Sequence, residues 1–147
     1  MMAQASMTKV LEKENCTVLA EHPLEVLLVE DDDADAFLIR RALKMNPQVS
    51  DVIHVHDGIE ALYWMDSGMA APDVAIIDLH MPRKNGLSLL MELRCRPEWN
   101  FPIIVLTSSM APEDATRSRL RGANHFMTKR GTAEAMHVML AKVMKAM

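Results

Sequence analysis

Four short stretches of this sequence concentrate the residues that could do chemistry. Glu30-Asp31-Asp32-Asp33 and Asp78-Leu79-His80-Met81-Pro82 supply carboxylates, Thr107-Ser108-Ser109 supplies hydroxyls, and Thr128-Lys129-Arg130 supplies a lysine. Two carboxylates ~4 Å apart repel by about 4 kcal/mol at an effective dielectric near 20. If the fold gathers Glu30, Asp31 and Asp78, a counter-charge must accompany them. A hard divalent cation fits, because Mg2+ prefers oxygen donors, keeps several waters and often binds through carboxylates plus phosphate. Lys129 adds a compact positive charge, and Thr107 a hydroxyl able to hydrogen-bond a phosphoryl oxygen. An aspartate beside a metal and a lysine is suited to attack phosphorus, and the product is an aspartyl-phosphate.

Bringing these stretches together is the task of the elements between them. Val26–Val29, Val52–Val55, Val74–Ile77, Ile103–Leu106 and His125–Met127 are predicted strands. Three of them are rich in Val and Ile without polar alternation, as expected of parallel strands covered on both faces. Predicted helices cover Asp33–Met45, Gly58–Ser67, Gly86–Arg94, Pro112–Arg121 and Thr132–Met147. The second ends before Gly68, the fourth has proline in its first turn and Gly122 just beyond its end, and the last carries a one-sided apolar stripe. Strand and helix alternate five times, which implies a parallel sheet with helices on both faces. In such sheets ligands gather beyond the carboxyl ends of the strands, where the four reactive stretches fall.

Length and composition bound the rest. A chain of 147 residues and 16.5 kDa has room for one domain. Half the residues are apolar and 24% are charged, enough for a core and a soluble surface. The net charge of −4 argues against a general nucleic-acid binder, and no apolar run approaches the ~18 residues of a membrane span. Cys16 and Cys95 match no zinc or redox spacing and read as free thiols in a reducing cytoplasm. No basic start precedes an apolar stretch, so a secretory signal is not expected. Residues 1–23 read as a partly ordered extension, with a short helical segment over 7–14 and a break at His22-Pro23, and residues 24–147 as the domain.

Taken in order, Val29-Glu30-Asp31, D-L-H-M-P-R-K-N-G from Asp78 to Gly86, Leu106-Thr107-Ser108 and Phe126-Met127-Thr128-Lys129 resemble the receiver domain of two-component response regulators. The spacing matches too: 47 residues separate Asp31 from Asp78, 29 separate Asp78 from Thr107, and 22 separate Thr107 from Lys129. The resemblance implies a flavodoxin-like (βα)5 doubly wound fold with strand order 2-1-3-4-5. It implies that Asp78 accepts a phosphoryl group from a histidine kinase or histidine phosphotransfer protein, with Mg2+ as cofactor. Asp31 corresponds to a direct metal ligand, Glu30 to an acid acting through water, and His80 to a ligand through its main-chain carbonyl. Thr107 and Phe126 correspond to the switch pair, and Lys129 to the lysine that contacts the phosphoryl group. Receivers usually signal through the face made by the fourth helix, fifth strand and fifth helix, to a second copy or a downstream protein.

The stretch from Glu30 to Leu43 is similar to a narrower branch, the small free-standing regulators paired with bacterial phytochromes and hybrid kinases. A receiver filling residues 24–147 would leave no covalent effector, so output would run through surface contacts. One departure stands out, because Arg130-Gly131 follows Lys129 where receivers typically have proline, often cis. A non-proline cis bond costs ~2.5–4 kcal/mol, so a trans bond is expected here.

Other readings compete at particular residues. A receiver fold could serve as a phosphate-independent binding module. Asp78 could be the nucleophile of a phosphohydrolase, but haloacid-dehalogenase-like phosphatases place a second aspartate where this chain has His80. An FMN carrier would need donors where this site has acids. Asp32, Asp33 and Asp35 read as helix-start acids, and His54 and His56 as packing or surface residues. His80 and Ser109 occupy the positions that tune phosphoryl lifetime in receivers. The methionine stripe of the last helix reads as core, while Arg117, Arg119, Arg121 and Arg130 form a solvated basic face or a partner surface.

Overall fold

Apolar runs with no polar alternation can be satisfied only between two layers. In the computed structural model, which describes residues 23–147, they become the centre of one parallel sheet. The strands are β1 (Leu24–Val29), β2 (Val49–Val55), β3 (Val74–Ile77), β4 (Ile103–Thr107) and β5 (His125–Thr128). The helices are α1 (Asp33–Lys44), α2 (Gly58–Met65), α3 (Gly86–Arg94), α4 (Pro112–Leu120) and α5 (Ala133–Lys145). Strand order is β2-β1-β3-β4-β5, every pairing parallel. Residues 1–22 of the extension, with the 7–14 segment and Cys16, lie outside the described residues. Cys95 is a free, exposed thiol.

Side-chain alternation along the central strands splits the core in two. Val26 and Leu28 of β1 and Ile104 and Leu106 of β4 face α1 and α5, where they meet Ile39, Leu43, Met136, Leu140 and Met144. Leu27, Val29, Ile77, Ile103 and Val105 face the opposite side and pack on Met65, Leu89, Leu90 and Leu93 of α2 and α3. The methionine stripe of α5 is therefore core, although its buried line runs through Met136, Leu140 and Met144 while Met147 is exposed.

Helix starts are set by short polar side chains. Asp32 accepts the N–H of Asp35, Asp57 that of Glu60, Asn85 that of Ser88 and Thr132 that of Ala135, each satisfying a donor that has no intrahelical partner. The α4 helix lacks such a bond and starts on Pro112 instead. The largest difference from the sequence reading is β2, which begins three residues earlier, at Val49 rather than Val52. It is an edge strand, so Ser50 and Asp51 sit exposed on it, and the register with β1 shifts there, with Ser50 unpaired between the Leu24–Val49 and Glu25–Asp51 pairs.

Candidate functional site

The site is assembled from consecutive strand ends. Backbone pairing continues past the strands, since the Glu30 N–H donates to the Val55 carbonyl, that of Asp78 to Val29 and that of Lys129 to Thr107. Glu30, Asp78 and Lys129 are thereby held in register across β2, β1, β3, β4 and β5. One carboxylate oxygen from each of Glu30, Asp31 and Asp78 lies within 4.8 Å of the others. Glu30 and Asp78 are buried, whereas Asp31 is exposed at the mouth.

Lys129 supplies the counter-charge. Its Nζ stands 2.8 Å from Glu30 Oε1, 2.7 Å from Asp35 Oδ2 and 3.3 Å from Asp78 Oδ2. Burial acts to lower the lysine's pKa, but these carboxylates outweigh it and hold the ammonium above its usual 10.5. Glu30 is pushed up to about 7, chiefly by burial and further by the charge of Asp78, against the pull of Lys129. Asp78 Oδ1 is buried and accepts no hydrogen bond. A buried, partnerless carboxylate oxygen is costly, and here its carboxylate lies within 4.8 Å of two further acids. Three hard oxygen donors at this separation suit a divalent cation, and Mg2+ is compatible with the set.

The remaining predicted residues fall around this cluster. Thr107 is fully buried at the end of β4, and its Oγ1 accepts the Ser109 N–H at 3.3 Å. Phe126 on β5 is half-buried and packs against the core on the α2–α3 side. The His80 side chain points outward, 66% exposed, with Nε2 3.5 Å from Asp114 Oδ2. No cis peptide occurs among the described residues, so the Lys129–Arg130 bond is trans as expected.

Four features escape the sequence. Asp35 does not merely start a helix, because it holds Lys129. His54 bonds the Glu30 carbonyl through Nε2 at 2.8 Å, so that nitrogen carries the proton. Asp57 caps α2 and pairs with Arg83, whose φ of 65° places it in the left-handed region. Asp114, in the first turn of α4, accepts the Ser109 hydroxyl and approaches His80, which together hold its carboxyl below the usual range. None left a distinct signal, and Asp35 in particular looks like any acid of a first helical turn.

A five-stranded parallel sheet with an acidic cluster and a lysine beyond its carboxyl edge is the architecture of a doubly wound α/β domain with its site at the strand ends. The profile of the response regulator receiver domain matches residues 26–141, and the chain belongs to that family. Response regulator Rcp1 of Synechocystis sp. is 30% identical over 113 residues, covering 73% of this chain and 77% of that protein. The phosphorylated cyanobacterial phytochrome response regulator RcpA superposes with a TM-score of 0.76 at 28% identity, over 84% of this chain and 92% of that one. The Mn2+-bound form of Rcp1 gives 0.73 at 27% identity, over 82% and 91%. Membership implies a histidine kinase as partner. No helix among the described residues is long and apolar enough to cross a membrane.

Proposed function

We propose that the protein is a phosphoacceptor switch, its receiver domain spanning residues 24–147, and that Asp78 is the residue phosphorylated. The observation that carries this reading is the buried, unpartnered Asp78 Oδ1, set among Glu30, Asp31 and Lys129. Asp31, Asp78, the His80 main-chain carbonyl and, through water, Glu30 would hold Mg2+. The ion supplies neutralisation of charge on the phosphoryl oxygens.

The chain's own residues do the rest. An Asp78 carboxylate oxygen forms the new bond to phosphorus while the donor's phosphorus–nitrogen bond breaks. The leaving imidazole of the kinase or phosphotransfer protein takes up a proton. Lys129, already in contact with Asp78, follows the charge onto the phosphoryl oxygens. Thr107 Oγ1 accepts from Ser109, which leaves its own O–H available to donate to a phosphoryl oxygen. Its displacement opens space for Phe126 and shifts an inactive–active equilibrium.

Exposed Leu120, Val138, Arg117, Arg119 and Arg121 give α4 and α5 a mixed apolar and basic surface. That α4–β5–α5 face would engage a second copy or a downstream protein in the cytoplasm, with no direct contact to nucleic acid or membrane. The likeness to RcpA, a cyanobacterial phytochrome response regulator, favours a phytochrome-type or hybrid histidine kinase as donor. The test is labelling by a phosphorylated kinase or acetyl phosphate with Mg2+. Wild type should acquire a base-labile phosphate, and equal labelling of Asp78→Asn would refute the assignment.

A further inference from the structure

Lys129 has one more carboxylate partner than the phosphoryl chemistry requires. An ammonium has three N–H donors, and three carboxylates surround this one, with Asp35 nearest at 2.7 Å and Asp78 farthest at 3.3 Å. Asp35 sits in the first turn of α1 and is 94 residues from Lys129 in sequence, so the pair ties α1 to the loop between β5 and α5. The two ends differ in environment. The lysine side chain is 9% exposed and that of Asp35 is 38% exposed. The bond can therefore open without stranding a buried carboxylate, because Asp35 can turn to water. Past Lys129 the chain runs through Arg130 to Gly131, around which there is open space. No proline ring stiffens this loop, and the Asp35 contact is what draws the lysine toward α1.

We propose that Asp35 is a positioning residue that holds Lys129 on the α1 side of the site and competes with the phosphoryl group for it. The inference rests on Asp78 as the phosphoacceptor. Without phosphate, the shortest bonds of Lys129 go to Asp35 and Glu30 rather than to Asp78. A phosphoryl group brings more negative charge than the carboxylate it modifies, and Lys129 must give up Asp35 to reach it. No covalent bond changes in this exchange. Asp35 thereby sets the equilibrium between the two lysine positions, weighting it toward the unphosphorylated state by the strength of one partly exposed ion pair.

Beryllofluoride, a phosphoryl mimic, tests this by titration calorimetry on the full chain at saturating Mg2+. Asp35→Asn should bind beryllofluoride about two- to fivefold more tightly than wild type, the range of one such ion pair. Asp35→Ala should show the same gain and Asp35→Glu should return to the wild-type value. Asp33→Asn is the control, because Asp33 lies in the same helical turn but pairs with His56 rather than Lys129. A merely structural or helix-dipole role would change Asp33→Asn equally and would track thermal stability instead. Unchanged or weaker binding by Asp35→Asn, or an equal gain in Asp33→Asn, overturns the proposal while leaving Asp78 as acceptor. Failure of wild type to bind beryllofluoride at all overturns both.

Discussion

Gly86→Ala adds one methyl group where the fold has no room for it, directly behind the proposed phosphoacceptor. Gly86 opens α3, and its N–H donates to the Leu79 carbonyl at 2.8 Å. A Cβ there would stand 2.3 Å from the Asp78 carbonyl oxygen and 2.8 Å from Leu79 Cα. Both obstructing atoms are backbone, so no rotamer change relieves the clash. Reaching the 3.0 Å that real Cβ contacts keep requires the Asp78 loop or the start of α3 to retreat by about 0.7 Å. Overpacking of this kind costs ~1–3 kcal/mol, offset by up to ~1 kcal/mol from replacing glycine in a helix. The net expectation is a loss of about 1–2 kcal/mol in urea denaturation. Asp78 shares the displaced backbone, and misplacement by ~1 Å can cost ~100-fold in rate. Initial phosphorylation by acetyl phosphate should therefore fall by about tenfold or more. Gly131→Ala is the matched control, with open space at its Cβ and an expected effect within about 0.5 kcal/mol. A Gly86→Ala protein with wild-type urea midpoint and a rate within about twofold of wild type would refute the reasoning.

Mg2+ should raise the thermal midpoint, adding about 2.7 kcal/mol of stability at ~100 times its Kd. Asp31→Asn, at an exposed position, should leave the metal-free midpoint nearly unchanged and lose most of that increment. At Asp57, burial pushes the carboxyl up, but the Glu60 N–H and the Arg83 guanidinium together hold it below its usual 3.8. The unfolded state then binds more protons, so this stabilisation is complete above 3.8 and is lost as pH falls through the folded-state pKa. Urea midpoints measured from about pH 5 to about pH 2 should fall more steeply for wild type than for Asp57→Asn. Arg94 donates to the carbonyls of Gly122 and Trp99 and to Asn124 Oδ1. Arg94→Met should cost about 2–3 kcal/mol and speed amide exchange in the loop between α4 and β5.

How much of this was legible depends on how local the cause was. Strands β1, β3 and β4 announce themselves because burial on both faces demands uninterrupted Val, Ile and Leu. The residue after each strand inherits its position from sheet register, so Glu30, Asp78 and Lys129 could be placed at one edge from sequence alone. The early start of β2 was not legible, since Ser50 and Asp51 on an edge strand obey solvent rather than a core. Asp35 looked like any acid in a first helical turn, and its partner is 94 residues away. Asp57 and Arg83 are likewise an ordinary cap and an ordinary surface arginine until the loop after β3 folds back over α2. Long-range pairs of charged side chains leave no periodicity to read.

The loops at the mouth explain how a change at Asp78 could travel outward. Left-handed backbone at Arg83 costs roughly 1–2 kcal/mol, and the buried Asp57 carboxylate offsets it, presetting the loop that carries the His80 carbonyl. On the other side, Thr107 Oγ1 accepts the Ser109 N–H, and the Ser109 hydroxyl donates to Asp114 in the first turn of α4. Asp114 also faces His80 and Arg117. His80, two positions beyond Asp78, and Ser109, two beyond Thr107, thus meet on one carboxylate of α4. If Thr107 moves toward a phosphoryl group, it pulls on Ser109, and Ser109 pulls on Asp114. The α4 helix has no side-chain cap bond of its own, so it is the element least able to resist that pull.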